Sequence, residues 1–190
     1  MSTMPAAGDP APEFALPDVE GVIHRLADQR GRWTIVYFYP KDDTPGCTVE
    51  ACAFRDANAD LVAAGAVVWG ISPDDPASHG RFREKFQLTF PLLSDEDHAT
   101  AEAYGAWVEK TNYGKTYMGI QRSTFLIGPD GRVARAWHRV KPEGHAGEVA
   151  AALEAARAEG GGAPSAGRES RRPRSWGETS EASGSDSSIG

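Results

Sequence analysis

The two cysteines of the chain, Cys47 and Cys52, are the residues best suited to chemistry. Cys47 follows a Thr44-Pro45-Gly46 turn, where a helix is expected to begin with Thr44 as its N-cap and Pro45 as its first residue. Unpaired N–H groups and the dipole at a helix N-terminus favour negative charge, so a cysteine there is held partly as thiolate, the form that attacks. In an intact helix, the Cα atoms of residues five apart lie about 8.6 Å from each other, beyond the ~7 Å that a disulfide spans. The pair therefore predicts a redox reaction in which the backbone must move.

Charged residues near Cys47 in the sequence complicate this picture. Asp42 and Asp43 would disfavour a thiolate and Lys41 would oppose them, so the helix start needs help from a distant cation. Arg122 is the best candidate, because it precedes a predicted buried strand and could reach the same end of the sheet.

A peroxide O–O bond is an electrophile that suits such a thiolate. The leaving oxygen gains negative charge as the bond breaks, and donors already in place would stabilise it. Arg122, the Thr44 hydroxyl and backbone N–H groups at the helix start are donors of the right type, while Pro40 shapes the loop and helps to exclude water. Cys47 would become a sulfenic acid that condenses with Cys52, and an external dithiol would reduce the disulfide.

Strands and helices are predicted to alternate along the chain. The predicted strands are two short ones between 14 and 26, followed by 33–39, 66–71, 91–94, 123–127 and 132–137. The predicted helices are 45–64, 76–86, 97–104 and 144–158. This order indicates an α/β fold, a central mixed sheet flanked by helices on both faces, whose first helix joins two parallel strands. The cysteine turn would lie beyond the carboxyl end of a central strand, where such sheets bind ligands.

Composition predicts one domain with a segment at each end. Residues 1–9 are expected to form a flexible leader, 10–158 a single domain, and 159–190 a disordered tail, because the tail has too few apolar residues to offset ordering entropy. A domain of this size buries roughly 70% of its unfolded surface, so it needs no disulfide for stability.

Charge and apolar runs exclude several classes of function. The net charge of −7 argues against general nucleic-acid affinity. The apolar stretch 61–71 is far shorter than the ~20 residues that cross a bilayer, and the N-terminus does not resemble a secretory signal. We therefore expect a cytoplasmic protein without nucleic-acid or membrane partners. In the cytoplasm a disulfide is more often catalytic than structural.

At these residues the chain resembles the peroxiredoxin family. Pro40-x-x-x-Thr44-x-x-Cys47 matches the signature of that family, and Cys47-x-x-x-x-Cys52 resembles its Q-type, or bacterioferritin comigratory protein, branch. The resemblance covers about residues 8–158, with similar blocks at 71–74, 90–95, 101–107 and 117–127.

The resemblance implies a fold, an activity and a set of site residues. The fold would be thioredoxin-like, with Cys47 as the peroxidatic cysteine, Cys52 as the resolving cysteine, and Pro40, Thr44 and Arg122 completing the site. The activity would be a thiol peroxidase that reduces hydrogen peroxide and organic hydroperoxides, is recycled by thioredoxin or a similar dithiol, and serves redox homeostasis. No metal or bound cofactor is expected. A monomer is expected, because an intramolecular resolving cysteine needs no partner subunit.

Two other functions stay open at this point. A thiol–disulfide oxidoreductase would reduce protein disulfides without peroxide, although its usual Cys-x-x-Cys pattern is absent. A non-enzymatic redox sensor would use the tail to bind a partner.

Plainer interpretations of single residues also stay open. The cysteines could be inert or structural, and zinc is disfavoured because no histidine lies near them in the sequence. Glu50 could orient an arginine or lie on the helix surface without a site role, and the surface position is favoured. His79 and His98 are interpreted as surface groups beside helices.

Overall fold

The computed structural model describes residues 3–159, so the predicted tail lies outside the described residues apart from Glu159. The strands are β1 Ala15–Pro17, β2 Ile23–Arg25, β3 Trp33–Phe38, β4 Ala66–Ser72, β5 Leu92–Ser94, β6 Trp107–Asn112, β7 Lys115–Ile120, β8 Ser123–Ile127 and β9 Val133–Trp137. The helices are α1 Pro45–Ala63, α2 Pro76–Phe86, α3 Ala99–Ala103 and α4 His145–Ala158, with a 3-10 helix at Leu26–Gln29.

Five strands form the predicted mixed sheet, in the order β5-β4-β3-β8-β9. Strands β3, β4 and β5 run parallel, β8 runs antiparallel to β3, and β9 runs antiparallel to β8. Every residue of the central strand β3 is buried, which its unbroken run of β-branched and aromatic residues favours. Because α1 follows β3 directly, the start of α1 lies beyond the carboxyl end of the central strand.

The two faces of the sheet pack against different layers. Ile35 and Tyr37 belong to a core shared with α1, α2 and α4. The alternate residues Val36 and Phe38 belong to a second core, which includes residues of α3, the 3-10 helix and β1. This alternation follows from the two-residue period of a strand, and it confirms the prediction of helices on both faces.

The hairpin between α3 and β8 was not predicted from the sequence. Its strands β6 and β7 pair antiparallel from Trp107↔Ile120 to Asn112↔Lys115. The turn residues Tyr113 and Gly114 have φ of 50° and 76°, as a two-residue hairpin turn requires. Most of its side chains are at least partly exposed, so the buried alternation that identifies a strand is missing from the sequence.

The N-terminal segment, residues 3–9, already contacts the domain, although composition predicted a flexible leader there. The Gly8 N–H donates to the Val133 carbonyl at 2.8 Å, and the Val133 N–H donates to the Asp9 carbonyl at 2.9 Å. Met4 packs against the second core. Contacts with the domain therefore begin within residues 1–9, where a flexible leader was expected.

Within residues 3–159, every helix is too short or too polar to cross a membrane.

Candidate active site

Cys47 lies in the first turn of α1, as the sequence predicts. Pro45 is the first helical residue, where its missing N–H leaves no hydrogen bond unmade. The Cys47 side chain is buried and Cys52 is half-buried, and both are free. Helix α1 is continuous through both positions, which puts their Cα atoms about 8.6 Å apart. The described conformation is therefore a reduced state in which the two sulfurs cannot bond.

Arg122 is the distant cation that the sequence called for. It directly precedes β8, whose Ser123 pairs with Phe38 at the carboxyl end of β3. Its Nη2 donates to the Cys47 Sγ at 3.2 Å. Sheet pairing thus brings a guanidinium to a sulfur that is 75 residues away in the sequence.

The same guanidinium binds Glu50, for which sequence reasoning favoured an assignment to the surface over a role in orienting an arginine. Arg122 Nη1 donates to the Glu50 Oε1 at 3.2 Å, and the Glu50 side chain is fully buried. That assignment was wrong, because Glu50 follows Cys47 by three residues and so shares its helix face. This spacing was the available signal, since a carboxylate one turn from the sulfur can orient any arginine that reaches it. The second Glu50 oxygen, Oε2, has no hydrogen-bond partner among residues 3–159.

Burial and charge act together on this pair. Burial raises the pKa of Glu50 to about 7, although the attraction of Arg122 opposes the rise. Burial alone would lower the pKa of Arg122, but the charges of Glu50 and Cys47 more than offset it and raise that pKa. Arg122 therefore stays protonated, and its positive charge lies beside the Cys47 sulfur.

Gly46 leaves room for the guanidinium. A Cβ at this position would lie 3.1 Å from the Arg122 Nη2 and 3.4 Å from the Cγ of Pro142. Pro142 comes from the segment between β9 and α4, and sequence reasoning did not place it near the site. The close approach of three chain segments explains why a residue without a side chain precedes the cysteine.

Thr44 occupies the predicted position but makes a different hydrogen bond. It is the extended residue before α1, with φ −101° and ψ 154°. Its hydroxyl donates to the Lys41 carbonyl at 2.9 Å, and it does not cap the helix. The side-chain cap was therefore a wrong prediction, since the hydroxyl closes the loop 41–44 instead. Pro40 directly precedes this loop and is half-buried.

The two aspartates expected to oppose a thiolate are paired with other groups. Asp43 forms a salt bridge with Lys85 of α2 at 2.8 Å. Asp42 is buried, and its Oδ2 lies 2.7 Å from the Nδ1 of His79. Each negative charge thus faces a basic side chain from α2, which lessens its opposition to a thiolate at Cys47.

His79 is the second residue that sequence reasoning misplaced. Its side chain is fully inaccessible to solvent, between the loop 41–44 and β5, and not on the surface. The packing of α2 over the loop is a tertiary contact without a local sequence signal. His98, by contrast, is partly accessible and stacks on Trp107 with ring centroids 3.9 Å apart.

Comparisons with known proteins agree with this geometry. Residues 7–136 match the AhpC/TSA family. The chain is 50% identical over 146 residues to a putative peroxiredoxin Bcp of Coxiella burnetii, covering 77% of this chain and 97% of that protein. It is 46% identical over 147 residues to peroxiredoxin Bcp of Bacillus subtilis, covering 77% and 94%.

Solved structures support the same relationship. The bacterioferritin comigratory protein of Xanthomonas campestris, solved in a study of its alkyl peroxide reduction activity, superimposes with a TM-score of 0.73 at 40% identity. The match covers 82% of this chain and 98% of that chain. The predicted thioredoxin-like α/β fold is confirmed. The chain therefore belongs to the AhpC/TSA family, as a thiol peroxidase of its Bcp, or Q-type, peroxiredoxin branch.

Proposed function

We propose that this enzyme reduces hydrogen peroxide and organic hydroperoxides through a sulfenic acid at Cys47 and an intramolecular Cys47–Cys52 disulfide. The observation that carries the proposal is the 3.2 Å contact between the Arg122 guanidinium and the Cys47 sulfur at the start of α1. A helix N-terminus and a charged donor both favour the thiolate, which is the nucleophile the reaction needs.

In the first step the Cys47 thiolate attacks one oxygen of the peroxide. The new S–O bond forms as the O–O bond breaks, so sulfur is oxidised and the second oxygen leaves with the electron pair. Arg122 and the N–H groups at the helix start stabilise that oxygen, which takes a proton and departs as water or an alcohol. The Thr44 hydroxyl both donates and accepts, and it orients the peroxide at the sulfur. Pro40 shapes the loop and excludes water.

In the second step the Cys52 thiolate attacks the Cys47 sulfenic sulfur. The S–S bond forms, and the sulfenic oxygen leaves as water once it is protonated. Because an intact α1 keeps the two Cα atoms too far apart, at least its first turn or two must unwind. Helix ends open most readily, so the position of Cys47 in the first turn makes this movement feasible.

In the third step an external dithiol of thioredoxin type reduces the disulfide by exchange. The reductant is oxidised to its own disulfide, and both cysteines return as thiols. Since Cys52 lies in the same chain, the cycle needs no second subunit, and we propose a monomer as the working unit. We also propose the cytoplasm as its compartment, where dithiol reductants are kept reduced.

Cys47→Ser tests the proposal directly. We expect the parent protein to consume hydrogen peroxide and cumene hydroperoxide with a thioredoxin reducing system, and the variant to consume neither above background. Full turnover by Cys47→Ser would overturn the assignment. The same preparations are assayed for reduction of insulin disulfides without peroxide. Rapid reduction there, with negligible peroxide consumption, would favour the oxidoreductase alternative.

A further inference from the structure

A buried polar cluster fastens the loop 41–44 to α2 and β5. Its centre is the Asp42 carboxylate, which accepts hydrogen bonds from the Tyr39 hydroxyl at 2.6 Å and the Ser78 hydroxyl at 2.8 Å. The Nδ1 of His79 lies 2.7 Å from the Asp42 Oδ2, and the Nε2 of His79 lies 3.1 Å from the Leu93 carbonyl. Neither His79 nor Tyr39 is more than 1% exposed.

Both ring nitrogens of His79 have hydrogen-bond partners. The Leu93 carbonyl can only accept, so Nε2 must carry a hydrogen. The Asp42 carboxylate accepts hydrogen bonds from two hydroxyls, and its Oδ2 also contacts the Nδ1 of His79. His79 and Asp42 therefore form a buried pair in which both ring nitrogens and both carboxylate oxygens have hydrogen-bond partners. Removing one member of such a pair leaves the other buried without its partner, which strongly destabilises the local structure.

The cluster also holds the loop by its backbone. The Asp42 N–H donates to the Asp74 Oδ2 at 2.8 Å, and the same oxygen accepts from the Ser72 hydroxyl at 2.7 Å. Two residues further on, the Thr44 hydroxyl binds the Lys41 carbonyl. The chain is thus fixed just before α1, five residues ahead of Cys47.

Asp42, Asp74 and His79 also have ligating atoms within 4.8 Å of one another, as in a cation site. Their contacting atoms are already used for hydrogen bonds among themselves and with the loop backbone. A cation would have to displace those bonds, so the cluster is better suited to holding the loop than to binding a metal.

We propose that His79 is a positioning residue for the peroxidase reaction: through Asp42 it holds the loop 41–44 in place, so that Thr44 and Cys47 meet the peroxide correctly. The inference rests on the proposed function. During disulfide formation the start of α1 must unwind, while the loop before it stays fastened. Releasing the loop should therefore slow the attack on peroxide without slowing the later meeting of Cys47 with Cys52.

The experiment separates these two steps. After one equivalent of hydrogen peroxide, rapid acid quenching and intact mass would follow sulfenate, which gains one oxygen, and disulfide, which loses two hydrogens. For His79→Phe we expect sulfenate formation to slow about tenfold or more, because small misplacements at a reacting centre have effects of this size. Disulfide formation from the sulfenate should be as fast as in the parent, or faster.

A conservative variant distinguishes positioning from a purely structural role. His79→Asn keeps an N–H donor close to the position of Nδ1 and should recover most of the lost rate. His79→Gln places its amide nearer the Nε2 position and should not. The control is His98→Phe, at a histidine outside the loop cluster that stacks on Trp107, and we expect parent values for both steps.

The result that would overturn the inference is a folded His79→Phe protein with parent rates, or one in which both steps slow equally. If His79→Phe does not fold, Ser78→Ala decides, since it removes a milder donor to the same carboxylate. An unchanged ratio of the two rates in Ser78→Ala would also overturn it. Failure of the proposed function would be seen separately, as turnover that survives Cys47→Ser.

Discussion

Replacing Arg122 by methionine is the sharpest perturbation of the site. The change removes the Nη2 donor 3.2 Å from the Cys47 sulfur while keeping an unbranched side chain in the space. Loss of one preorganised donor to a developing negative charge slows comparable reactions about 10²–10³-fold, or roughly 2.7–4 kcal/mol. Glu50 would then lose its charged partner, and being buried it would take up a proton rather than remain as an isolated charge.

Measuring the peroxide rate of Arg122→Met at pH 7 and at pH 9 separates two causes of its slower reaction, a smaller fraction of thiolate and a missing donor to the leaving oxygen. The assay is the second-order rate of peroxide reaction at Cys47, measured by competition with a peroxidase of known rate. At pH 9 an ordinary thiol is mostly ionised, so a defect caused only by loss of the thiolate should largely vanish there. Because we propose that Arg122 also stabilises the leaving oxygen, we expect about tenfold or more of the defect to persist at pH 9.

The matched control is Arg135→Met. Arg135 is exposed on β9, where its guanidinium lies over the Trp137 ring, away from the Cys47 sulfur. We expect its peroxide rate to equal that of the parent. An Arg122→Met rate within about threefold of the parent at pH 7 would refute the role of the guanidinium, because the predicted effect is far larger.

Three further predictions concern the rest of the site. Cys52→Ser should form the Cys47 sulfenate at the parent rate but turn over poorly with thioredoxin and overoxidise readily; unchanged turnover would mean that the reductant or another subunit supplies the resolving thiol. Since the folded-state pKa of Glu50 is raised from 4.5 to about 7, its contribution to stability falls as pH rises through that window, by up to about 3 kcal/mol. Urea unfolding of Glu50→Gln should lack this fall, and a slope equal to the parent's would contradict it. Gly46→Ala should displace the tip of the Arg122 side chain and slow the peroxide reaction. Because alanine favours the helix over glycine by up to about 1 kcal/mol, α1 should unwind less readily and disulfide formation should slow about fivefold. Gly147→Ala in α4, where a Cβ meets nothing within 4 Å, should change neither rate.

Local patterns predicted most of the sheet and the position of Cys47 at the start of α1. Strand β3 was evident because residues 33–38 are apolar or β-branched throughout. The start of α1 was evident from Pro45, which favours the first helical position. Arg122 was chosen because it precedes a predicted buried strand, and the resemblance to the peroxiredoxin family supported that choice.

The remaining features depend on contacts that no local pattern encodes. In the sequence, Glu50 and His79 look like ordinary surface residues of helices. In the fold, sheet pairing places Arg122 against Glu50, and the packing of α2 places His79 against the loop 41–44. The β6–β7 hairpin escaped prediction because its side chains are largely accessible on a two-stranded ribbon. Residues distant in sequence thus determine whether Glu50 and His79 are buried, and whether the strands of the β6–β7 hairpin are exposed.

We propose that Cys47 and Cys52 form one redox couple within a single chain, across a helix that must open. The most direct measurement adds one equivalent of hydrogen peroxide to the reduced protein and follows free thiols and intact mass. We expect loss of both thiols and of two hydrogens per chain, far faster than the oxidation of free cysteine. Slow oxidation at the rate of an ordinary thiol, or a lasting sulfenate beside a free Cys52, would contradict it.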